Sequence, residues 1–410
     1  MKTILASTYA VNPYKGSEDA MGWNYIMQLA RFHKVIAITR ENNEQQILKY
    51  QRENPSDLYD NIEFLYFDLP YWMRFWKKKS RGALLYFYMW QKGIVSFVKK
   101  QNLKFDYAHN LNFHNDWTPS FLWKLEKPFV WGPIGHHPAI PKQFINRFSR
   151  SEKIKEMLKN GVKKYFWTLS PTLQNTIQNA DHILCMNGSV QEVLNLSNKS
   201  TSIAPSVATQ DYGFSLKKDN HKFTLISAGR FVNLKGFDLT VKSYIAFLNT
   251  LTTEEKAHCK LVLVGQGPQR SKMEALIAEA GISDFVQLIP WIERVKLMDL
   301  MKSASAFIFP SHEGAGMVVP EALSFGLPCV VLDNWGPGKF INDNCGIRVK
   351  SDNYEDTVKD LASSISLLYN DPVLREKLSK GAREEFLKTF HWDRKGEQLK
   401  SIYEKLDLAI

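Results

Sequence analysis

Cysteine is scarce in this chain of 410 residues, and long apolar runs are missing from it. Cys185, Cys259, Cys329 and Cys345 form no Cys-x-x-Cys pair, so we expect reduced thiols and an intracellular protein. The densest apolar run, 83–90, has only eight residues, whereas a membrane-spanning helix needs roughly 18 or more. The amino terminus has no apolar stretch of the kind found in signal peptides. These absences argue against a secreted disulfide scaffold and a helical membrane protein.

Acidic residues are also in short supply. The chain has 53 Lys and Arg against 42 Asp and Glu, a formal net charge of +11. A basic balance favours acidic partners such as phosphates, nucleic acids or anionic membranes. With 44% hydrophobic and 23% charged residues, the composition is typical of a folded globular protein and excludes a disordered or low-complexity chain. At roughly 100–200 residues per domain, the length predicts two or three domains.

Short apolar, β-branched runs alternate with longer helical patterns along the chain. Such runs are typical of parallel strands that are buried on both faces. They lie at 3–6, 35–39, 62–67, 105–109, 129–132 and 182–186, and then at 223–228, 261–264, 286–289, 306–309, 328–332 and 347–349. Because one sheet of twelve strands would be unusually wide, the runs predict an α/β protein with two doubly wound domains.

A stretch rich in Ser, Asn, Lys and Asp separates the two sets of strands and is typical of a linker. We therefore predict a first domain at 1–203, a linker at 204–221 and a second domain at 222–390. The remaining segment, 391–410, has a helical pattern with one apolar side.

A glycine and two cations follow the first predicted strand of the second domain, in the sequence SAGRFVNLKG at 227–236. Ligands of doubly wound sheets bind beyond the carboxyl ends of the strands. Arg230 and Lys235 are therefore placed to bind an anion, Arg through paired N–H groups and Lys as a point charge. A solvated basic loop is the alternative.

A Gly-x-Gly pattern follows the next strand, at Gly265 and Gly267. It indicates either a close approach of the backbone to a ligand or a tight turn into a helix. Because the third glycine of the dinucleotide fingerprint is missing, the pattern is weak evidence for NAD.

The segment FPSHEGAGMVVPEALSFGLP at 309–328 places Glu313 in a predicted loop and Glu321 in the first turn of a predicted helix. The amino end of this helix, with Gly314 and Gly316, offers backbone N–H groups to an anion. The two carboxylates could accept hydrogen bonds from sugar hydroxyls. Complementing the helix dipole is the alternative role for Glu321.

Taken together, these three motifs resemble the nucleotide-sugar domain of GT-B glycosyltransferases, and specifically of glycosyltransferase family 4. That family contains retaining enzymes, among them many bacterial capsule and lipopolysaccharide transferases. The motifs cover about 223–349, and the two-domain outline covers the whole chain. The resemblance implies a GT-B fold, in which two Rossmann-like domains face each other across a cleft and the carboxyl-terminal helix packs back on the first domain.

The resemblance also implies roles for individual residues. Arg230 and Lys235 would bind the donor diphosphate, Glu321 would hold the ribose hydroxyls, and Glu313 would face the donor sugar. Backbone amides at 316–318 would complete the sugar and phosphate contacts, and the base would pack against the loop after the 286–289 strand. The donor-binding residues implied in this way are Gly16, Arg230, Lys235, Gly265, Gly267, Trp291, Glu313, Gly314, Gly316, Met317, Val318 and Glu321.

The chemistry of the transfer follows from its charges. Breaking the anomeric bond leaves negative charge on the diphosphate, which Arg230 and Lys235 would stabilise. The chain contains no Asp-x-Asp, and its Cys and His residues show no metal-ligand spacing. We therefore predict a metal-independent transfer without a cofactor, and the resemblance implies that it is retaining. The predicted catalytic residues are Glu313, Arg230, Lys235, His136 and His137.

Two features of the first half bear on the same site. The segment 14–23 follows the first strand and resembles the family's loop under the donor phosphates, with Gly16 as the residue of close approach. A helix start capped by Ser17 is compatible with this role.

Histidines form the second feature. The family often has a histidine directly after the strand at 129–132, where this chain has WGPIGHH instead. His136 or His137 could reach the site by a shift of the loop, and His109 or His114 could line the acceptor side. A satisfied structural histidine is the alternative for each.

Basic and aromatic residues are concentrated at 71–81, which has five cations, four aromatic residues and no acid. This combination is typical of segments that lie at membrane interfaces. A solvated face over a buried aromatic helix is the alternative, and the sugar-nucleotide motifs argue against nucleic acid binding. The predicted membrane-surface residues are Trp72, Arg74, Phe75, Trp76, Lys77, Lys78, Lys79 and Arg81.

The sequence as a whole predicts a retaining hexosyltransferase of bacterial-type surface polysaccharide synthesis. It would move a sugar from a UDP- or GDP-type donor to a glycan or lipid-linked acceptor, in the cytoplasm and at the inner face of the membrane. A nucleotide-sugar epimerase of the same fold is the nearest alternative enzyme. A non-catalytic glycan- or lipid-binding protein is the alternative from another class, which the presence of Arg230, Lys235 and Glu321 disfavours. The oligomeric state stays open.

Overall fold

The computed structural model describes residues 1–78, 82–113, 115–214, 216 and 222–409. Contacts between residues divide the chain into two compact units. The first unit comprises Met1–His136, Leu158–Ser206 and Trp392–Ile410. The second unit comprises His137–Met157 and Val207–His391. Each unit is built around one parallel sheet.

The sheet of the first unit has the strand order β3-β2-β1-β4-β5-β6-β7, and all of its neighbouring strands are parallel. Its strands are β1 (Thr3–Ser7), β2 (Lys34–Thr39), β3 (Ile62–Tyr66), β4 (Tyr107–Asn110), β5 (Phe129–Ile134), β6 (His182–Cys185) and β7 (Thr201–Ile203). The helices up to β7 are α1 (Ser17–Ala30), α2 (Glu44–Glu53), α3 (Tyr71–Arg74), α4 (Ala83–Gln101), α5 (Lys142–Ile145), α6 (Arg150–Leu169), α7 (Pro171–Asn179) and α8 (Gly188–Leu194).

The sheet of the second unit has the order β10-β9-β8-β11-β12-β13 and is also parallel throughout. Its strands are β8 (Phe223–Ala228), β9 (Cys259–Val264), β10 (Val286–Ile289), β11 (Ala306–Phe309), β12 (Cys329–Leu332) and β13 (Gly346–Val349). The remaining helices are α9 (Phe237–Leu248), α10 (Thr253–Lys256), α11 (Arg270–Glu279), α12 (Arg294–Ser303), α13 (Val318–Ser324), α14 (Pro337–Phe340), α15 (Tyr354–Asn370), α16 (Pro372–Glu385) and α17 (Trp392–Ala409).

The inner strands of the second sheet are largely apolar because both of their faces are buried, whereas the edge strands β10 and β13 include the exposed residues Gln287 and Arg348. Leu225, Leu261 and Ile308 pack into one hydrophobic cluster of the unit. Their chain neighbours Ile226 and Val262 pack into a different cluster. Successive side chains of a strand point to opposite faces, so a sheet with helices on both sides takes apolar residues at every position.

All twelve strands predicted from the sequence are present, and the prediction of two doubly wound α/β domains is confirmed. The sequence did not reveal β7, because its three residues are polar or partly exposed. Pairing with β6 makes this segment a strand. In both sheets the strand order changes direction beside the first strand, between β1 and β4 and between β8 and β11. Ligands of such sheets bind at this change of direction, beyond the carboxyl ends of the strands.

The segment 137–157, which lies within the predicted first domain, is grouped by its contacts with the second unit. Ile140 and Phe144 are buried in the hydrophobic core of that unit. Arg147 donates to a carboxylate oxygen of Glu355 at 2.8 Å and lies over the ring of Tyr354. These apolar and charged contacts attach the segment to α15.

Helix α17 belongs to the first unit and packs against α1. The rings of Tyr25 and Trp392 meet edge to face with centroids 5.5 Å apart, and Arg31 pairs with Asp393 at 2.8 Å. The side chain of Tyr403 is fully buried. The apolar side of α17, which the sequence pattern indicated, thus packs against the first unit.

The four cysteines are buried free thiols. Burial raises the pKa of Cys185 and of Cys259 to about 12, which keeps these thiols protonated and unreactive at neutral pH. Within the described part of the chain, no helix combines the length and the apolar composition that crossing a bilayer requires.

Lys395 is a buried cation of α17, with 1% of its surface exposed. Burial lowers its pKa to about 7. Between this pKa and the ordinary value near 10.5, the unfolded chain binds more protons than the folded chain, so Lys395 makes stability rise with pH. We expect Lys395→Met to have a larger free energy of unfolding than the wild type near pH 7. Above pH 7 this difference should decrease by up to about 1.4 kcal/mol per pH unit.

Urea unfolding of both proteins at pH 7 and pH 9.5 measures this margin. Because every other titrating group is shared, the difference between the two proteins isolates the lysine. A margin that does not change with pH would contradict the predicted titration.

Candidate functional site

A largely buried ion pair lies where the second sheet changes direction. Lys235 follows β8 and Glu313 follows β11, and these two strands are neighbours. The Nζ atom of Lys235 lies 2.6 Å from both carboxylate oxygens of Glu313. Only 16% of the lysine side chain and 13% of the glutamate side chain are exposed. The fold thus brings together two charges that are 78 residues apart in the chain.

The environment of Glu313 contains two opposing influences. Burial raises the pKa of Glu313, whereas the charges of Lys235 and Arg230 act to lower it. Arg230 is therefore close enough to interact electrostatically with Glu313, and Arg230 is itself exposed to solvent. The Lys235 Nζ atom also lies 4.9 Å from the centroid of the Phe309 ring. Two cations, one of them accessible, thus flank a single buried carboxylate.

A second ion pair joins the buried Glu321 to Arg294, whose side chain is 45% exposed. Glu321 lies in the first turn of α13 and is 2% exposed, and its Oε1 atom is 2.6 Å from a guanidinium nitrogen of Arg294. Arg294 also donates to the hydroxyl of Tyr212 at 2.8 Å. Burial raises the pKa of Glu321, and the charge of Arg294 opposes this rise.

Sequence reasoning missed Arg294. It is the first residue of α12, within a charged stretch typical of a solvated helix start. Its position three residues after Trp291 is the one signal that could have drawn attention to it. Trp291 itself is 74% exposed in the loop that follows β10.

The loop between the two glutamates contacts His137. The backbone N–H of Gly314 donates to Nδ1 of His137 at 2.9 Å. An alanine Cβ at Gly316 would lie 3.2 Å from Oε1 of Glu313. His137 is thus the histidine of the WGPIGHH stretch that the fold brings to this loop, and Gly314 and Gly316 lie beside the buried glutamate.

His312 precedes Glu313 but has a different environment. Its ring packs against Phe144 with centroids 4.6 Å apart, and burial lowers its pKa to about 4. A neutral, buried imidazole of this kind keeps the loop packed on α5 and carries no charge at neutral pH.

Of the other predicted site histidines, His109 and His136 belong to the first unit. His136 Nδ1 is 2.8 Å from a carboxylate oxygen of Asp116. His109 is fully buried, with Nδ1 2.6 Å from the Tyr403 hydroxyl and Nε2 2.7 Å from the carbonyl oxygen of Gly132. These contacts favour the structural alternative for His109 over an acceptor contact. His114 lies outside the described residues.

The predicted donor-binding glycines have definite local roles. Gly16 is the N-cap of α1, where Ser17 was expected as the cap, and Ser17 makes no side-chain capping bond. Gly265 and Gly267 have φ angles of +151° and +159°. A Cβ at Gly265 would lie 1.9 Å from the carbonyl oxygen of Gly229, so the loops after β8 and β9 pack too closely for a side chain.

The described part of the membrane-surface segment divides into two kinds of residue. Trp72 and Phe75 are 71% and 60% exposed. Arg74 instead pairs with Asp68 at 3.3 Å and with Glu41 at 3.2 Å. Trp76 packs partly against the core and Lys77 is half-buried, whereas Lys78 is exposed. Lys79 and Arg81 lie outside the described residues.

Gly236, which follows Lys235 and starts α9, offers a test of how tightly this site is packed. Its φ is +66°, and an alanine Cβ would lie 2.1 Å from the carbonyl oxygen of Pro310. Gly281 in the same unit has a φ of +65° with nothing within 4 Å of the added Cβ. We expect Gly281→Ala to cost about 1–2 kcal/mol through backbone strain alone. Gly236→Ala should cost about 1–3 kcal/mol more, because the loop after β11 must also move.

Chemical unfolding of the two variants measures the difference directly. Equal costs would show that the loops after β8 and β11 are loosely packed, contrary to the close approach described above.

The arrangement in the second unit can bind a polyanion and a group rich in hydroxyls. Arg230 and Lys235 offer positive charge. The Gly314 N–H is taken by His137, so the backbone amides at 315–316 are the N–H donors that this loop can offer to an anion. The carboxylates of Glu313 and Glu321 can accept hydrogen bonds from hydroxyl groups. Among the described side chains, no group of three His, Cys, Asp or Glu is arranged to hold a metal ion.

Comparison with known families and proteins yields consistent matches. Residues 209–385 match the family model described as Glycosyl transferases group 1. The lipopolysaccharide core biosynthesis glycosyltransferase LpsD of Rhizobium meliloti is 31% identical over 189 residues, covering 44% of this chain and 48% of that protein. Alpha-D-kanosaminyltransferase of Streptomyces kanamyceticus is 27% identical over 186 residues, covering 45% and 46%. The aligned part spans about half the length of these relatives.

Among solved structures, Anabaena Alr3699/HepE in complex with UDP matches 99% of this chain and 100% of its own, with a TM-score of 0.64 and 12% identity. A likeness at this identity shows the fold. The GT-B fold expected from the sequence is confirmed, and so is the resemblance to GT-B glycosyltransferases.

Proposed function

We propose that the chain transfers a sugar from a nucleotide diphosphate sugar to a glycan or lipid-linked acceptor, because residues 209–385 match the family model described as Glycosyl transferases group 1. The observation that carries this proposal is the pair of buried glutamates, Glu313 and Glu321, each held by a cation beyond the carboxyl ends of the second sheet. Buried charges are unfavourable unless they are paired, so their presence at a ligand-binding edge indicates a function beyond stability.

In this proposal the donor diphosphate lies against Arg230 and Lys235. The ammonium group of Lys235, which now contacts Glu313, would then be shared between the glutamate and the phosphate oxygens. Glu321 would accept hydrogen bonds from the ribose hydroxyls, and Arg294 would hold the glutamate ionised and in place. The exposed ring of Trp291 offers a surface for the base. The UDP bound to Anabaena HepE supports a nucleotide diphosphate as the ligand class.

The proposed reaction breaks the bond between the anomeric carbon and the diphosphate oxygen. The bonding electron pair leaves with the diphosphate, and Arg230 and Lys235 stabilise the resulting charge without a metal ion. The acceptor hydroxyl forms the new bond to the anomeric carbon and passes its proton to an oxygen of the departing diphosphate. We propose that attack occurs on the face from which the diphosphate leaves, so that the anomeric configuration of the donor is kept.

NMR of the product tests this reaction. Purified protein is incubated with a panel of UDP- and GDP-sugars, and the anomeric coupling constant of the transferred or hydrolysed sugar is followed from the earliest time points. Retention of the donor's configuration is expected. Inversion would remove the retaining assignment, and a chain that consumes none of the donors would remove the proposed reaction.

We further propose that the acceptor lies at the cytoplasmic face of a membrane, in the synthesis of a surface polysaccharide. The Rhizobium relative LpsD is a glycosyltransferase of lipopolysaccharide core biosynthesis, which supports the acceptor class. Exposed aromatic residues at Tyr71, Trp72 and Phe75 support contact with a bilayer.

Helix α6 carries a second surface of this kind. Its exposed apolar residues recur at helical spacing, so they share one side, and exposed cations flank them without an exposed acid. The apolar residues are Ile154, Met157, Leu158, Val162, Tyr165 and Leu169, and the cations are Arg150, Lys155, Lys159 and Lys164. Such a helix fits the interface of an anionic bilayer.

We expect the wild-type protein to float with liposomes that contain anionic lipid and to lose most of this binding at high salt. The double variants Trp72→Ser/Phe75→Ser and Met157→Ser/Leu158→Ser should each release a large fraction of the bound protein. Val373→Ser is a suitable control, because Val373 is 79% exposed but isolated on α16. Flotation that is equal in all four proteins would refute the two surfaces.

A further inference from the structure

A pocket of about 490 Å3 opens in the first unit beyond the carboxyl ends of β2 and β3. Three cations line it: Arg40, directly after β2, and Arg74 and Lys77, after β3. Asn42, Asp68 and Tyr86 add polar groups to the lining. The carboxyl edge of a doubly wound sheet is the side on which ligands bind.

The one acid that lines the pocket is already satisfied. Asp68 accepts a hydrogen bond from the Tyr86 hydroxyl at 2.5 Å and pairs with Arg74 at 3.3 Å. Only 4% of its side chain is exposed. Arg74 reaches Glu41 as well, and its Nε atom is buried without a hydrogen-bond partner among the described groups.

The other two cations contact aromatic rings and a carbonyl oxygen. Arg40 donates to the carbonyl oxygen of Tyr9 at 3.2 Å and lies over the Tyr9 ring at 4.2 Å. The Nζ atom of Lys77 lies 5.3 Å from the centroid of the Tyr86 ring. Within the part of the chain that the structure describes, no carboxylate lies within ion-pair distance of either side chain.

The cations also act on one another. Burial lowers the pKa of Lys77, and the charges of Arg40 and Arg74 lower it further, against the opposing effect of Asp68. Like charges that are held together at the edge of a pocket are stabilised when an anion enters. Arg and Lys are the side chains that bind phosphate oxygens, through paired N–H groups and as a point charge respectively.

We propose that this pocket binds the phosphate or diphosphate group of the acceptor. This inference rests on the proposed function, because it assumes that the chain binds an acceptor. It adds that the acceptor has a phosphate or diphosphate group. Tyr71 and Phe75 line the same pocket and are 76% and 60% exposed, so apolar surface lies beside the cations. The pocket would recognise the phosphate group itself, which a lipid carrier and a soluble sugar phosphate both have.

Calorimetric titration with inorganic pyrophosphate tests the pocket, with UDP present at saturation so that the site in the second unit is filled. We expect Lys77→Met to weaken pyrophosphate binding at least about tenfold, because a charge-assisted contact is lost. Arg40→Met should do the same and serves as the second variant if Lys77→Met unfolds. Lys92→Met removes an exposed lysine of α4 and should leave the affinity unchanged. Equal affinities in all four proteins would overturn the proposal.

A competition experiment identifies the source of the phosphate. Vesicles of neutral lipid containing phosphatidic acid are added to the wild-type protein with and without pyrophosphate. Release of the protein by pyrophosphate assigns a lipid phosphate, and pyrophosphate binding without release assigns a soluble one. UDP binding is measured in the same preparations. A chain that binds pyrophosphate through Lys77 but binds no nucleotide would refute the proposed function while leaving the pocket intact.

Discussion

Glu321→Ala is expected to weaken nucleotide binding by more than about 100-fold, the loss of two hydrogen bonds between a carboxylate and the ribose hydroxyls. The side chain is almost fully buried and held by Arg294 at 2.6 Å, so its oxygens are fixed before the ligand arrives. Such preorganisation makes each hydrogen bond more effective, because little side-chain entropy is lost on binding. The variant should remain folded, since Arg294 is 45% exposed and water can solvate it once its partner is removed.

Calorimetry with UDP, GDP and ADP measures the effect, and Glu279→Ala is the matched control. Glu279 is an exposed glutamate at the end of α11, and its removal should leave nucleotide affinity unchanged. Arg294→Met should weaken binding less than Glu321→Ala, because the glutamate is kept although its charge is no longer stabilised. If Glu321→Ala and Glu279→Ala bind nucleotide equally well, the ribose assignment is wrong.

Lys235→Met is expected to reduce the rate of sugar transfer by about 100- to 1,000-fold, the usual cost of removing one preorganised group that stabilises developing negative charge. The same substitution leaves Glu313 buried without its nearest cation. Breaking a buried pair in this way costs about 3–5 kcal/mol of stability. We expect the lower end of that range, because Arg230 still acts on Glu313 and the pKa of the carboxyl can rise further until it takes up a proton.

The double variant Lys235→Met/Glu313→Gln separates the two roles of the lysine. Removing both charges should restore most of the stability, since no uncompensated ion is left buried. Activity should stay at the level of Lys235→Met or below it. Lys260→Met, at an exposed position of β9, is the control for loss of a lysine. Recovery of activity together with stability would show that Lys235 serves the fold alone.

Local pattern was sufficient to predict most of the fold. A parallel strand buried on both faces leaves a largely apolar run, and each predicted run contains a strand. The strand β7 was hidden because its polar residues owe their conformation to pairing with β6. The attachment of 137–157 to the second unit was equally hidden, because it depends on Ile140 and Phe144, two apolar residues within a polar stretch.

The residues of the candidate site could be predicted from the sequence only in part, because some of them meet through contacts between distant segments. Arg230, Lys235, Glu313 and Glu321 follow strands whose carboxyl ends meet at one edge, so the sequence could group them. Arg294 could not be assigned, because its pairing with Glu321 depends on how α12 and α13 approach each other in three dimensions.

The position of His137 could not be predicted from the sequence either. The sequence left it as one of two adjacent histidines, and only the folded path of 137–157 brings its Nδ1 atom to the N–H of Gly314. Local sequence contains no information about a contact between residues 177 positions apart.

Thermal unfolding of the wild-type chain with a panel of nucleotides and nucleotide sugars tests the donor site most directly. The buried pairs of the second unit predict that at least one nucleotide diphosphate or its sugar raises the Tm in a concentration-dependent manner. They also predict that Arg230→Ala, which alters an exposed side chain, sharply reduces this rise without lowering the Tm of the protein alone. A panel in which no nucleotide diphosphate protects the wild-type chain, or in which Arg230→Ala is protected equally well, would contradict the assignment.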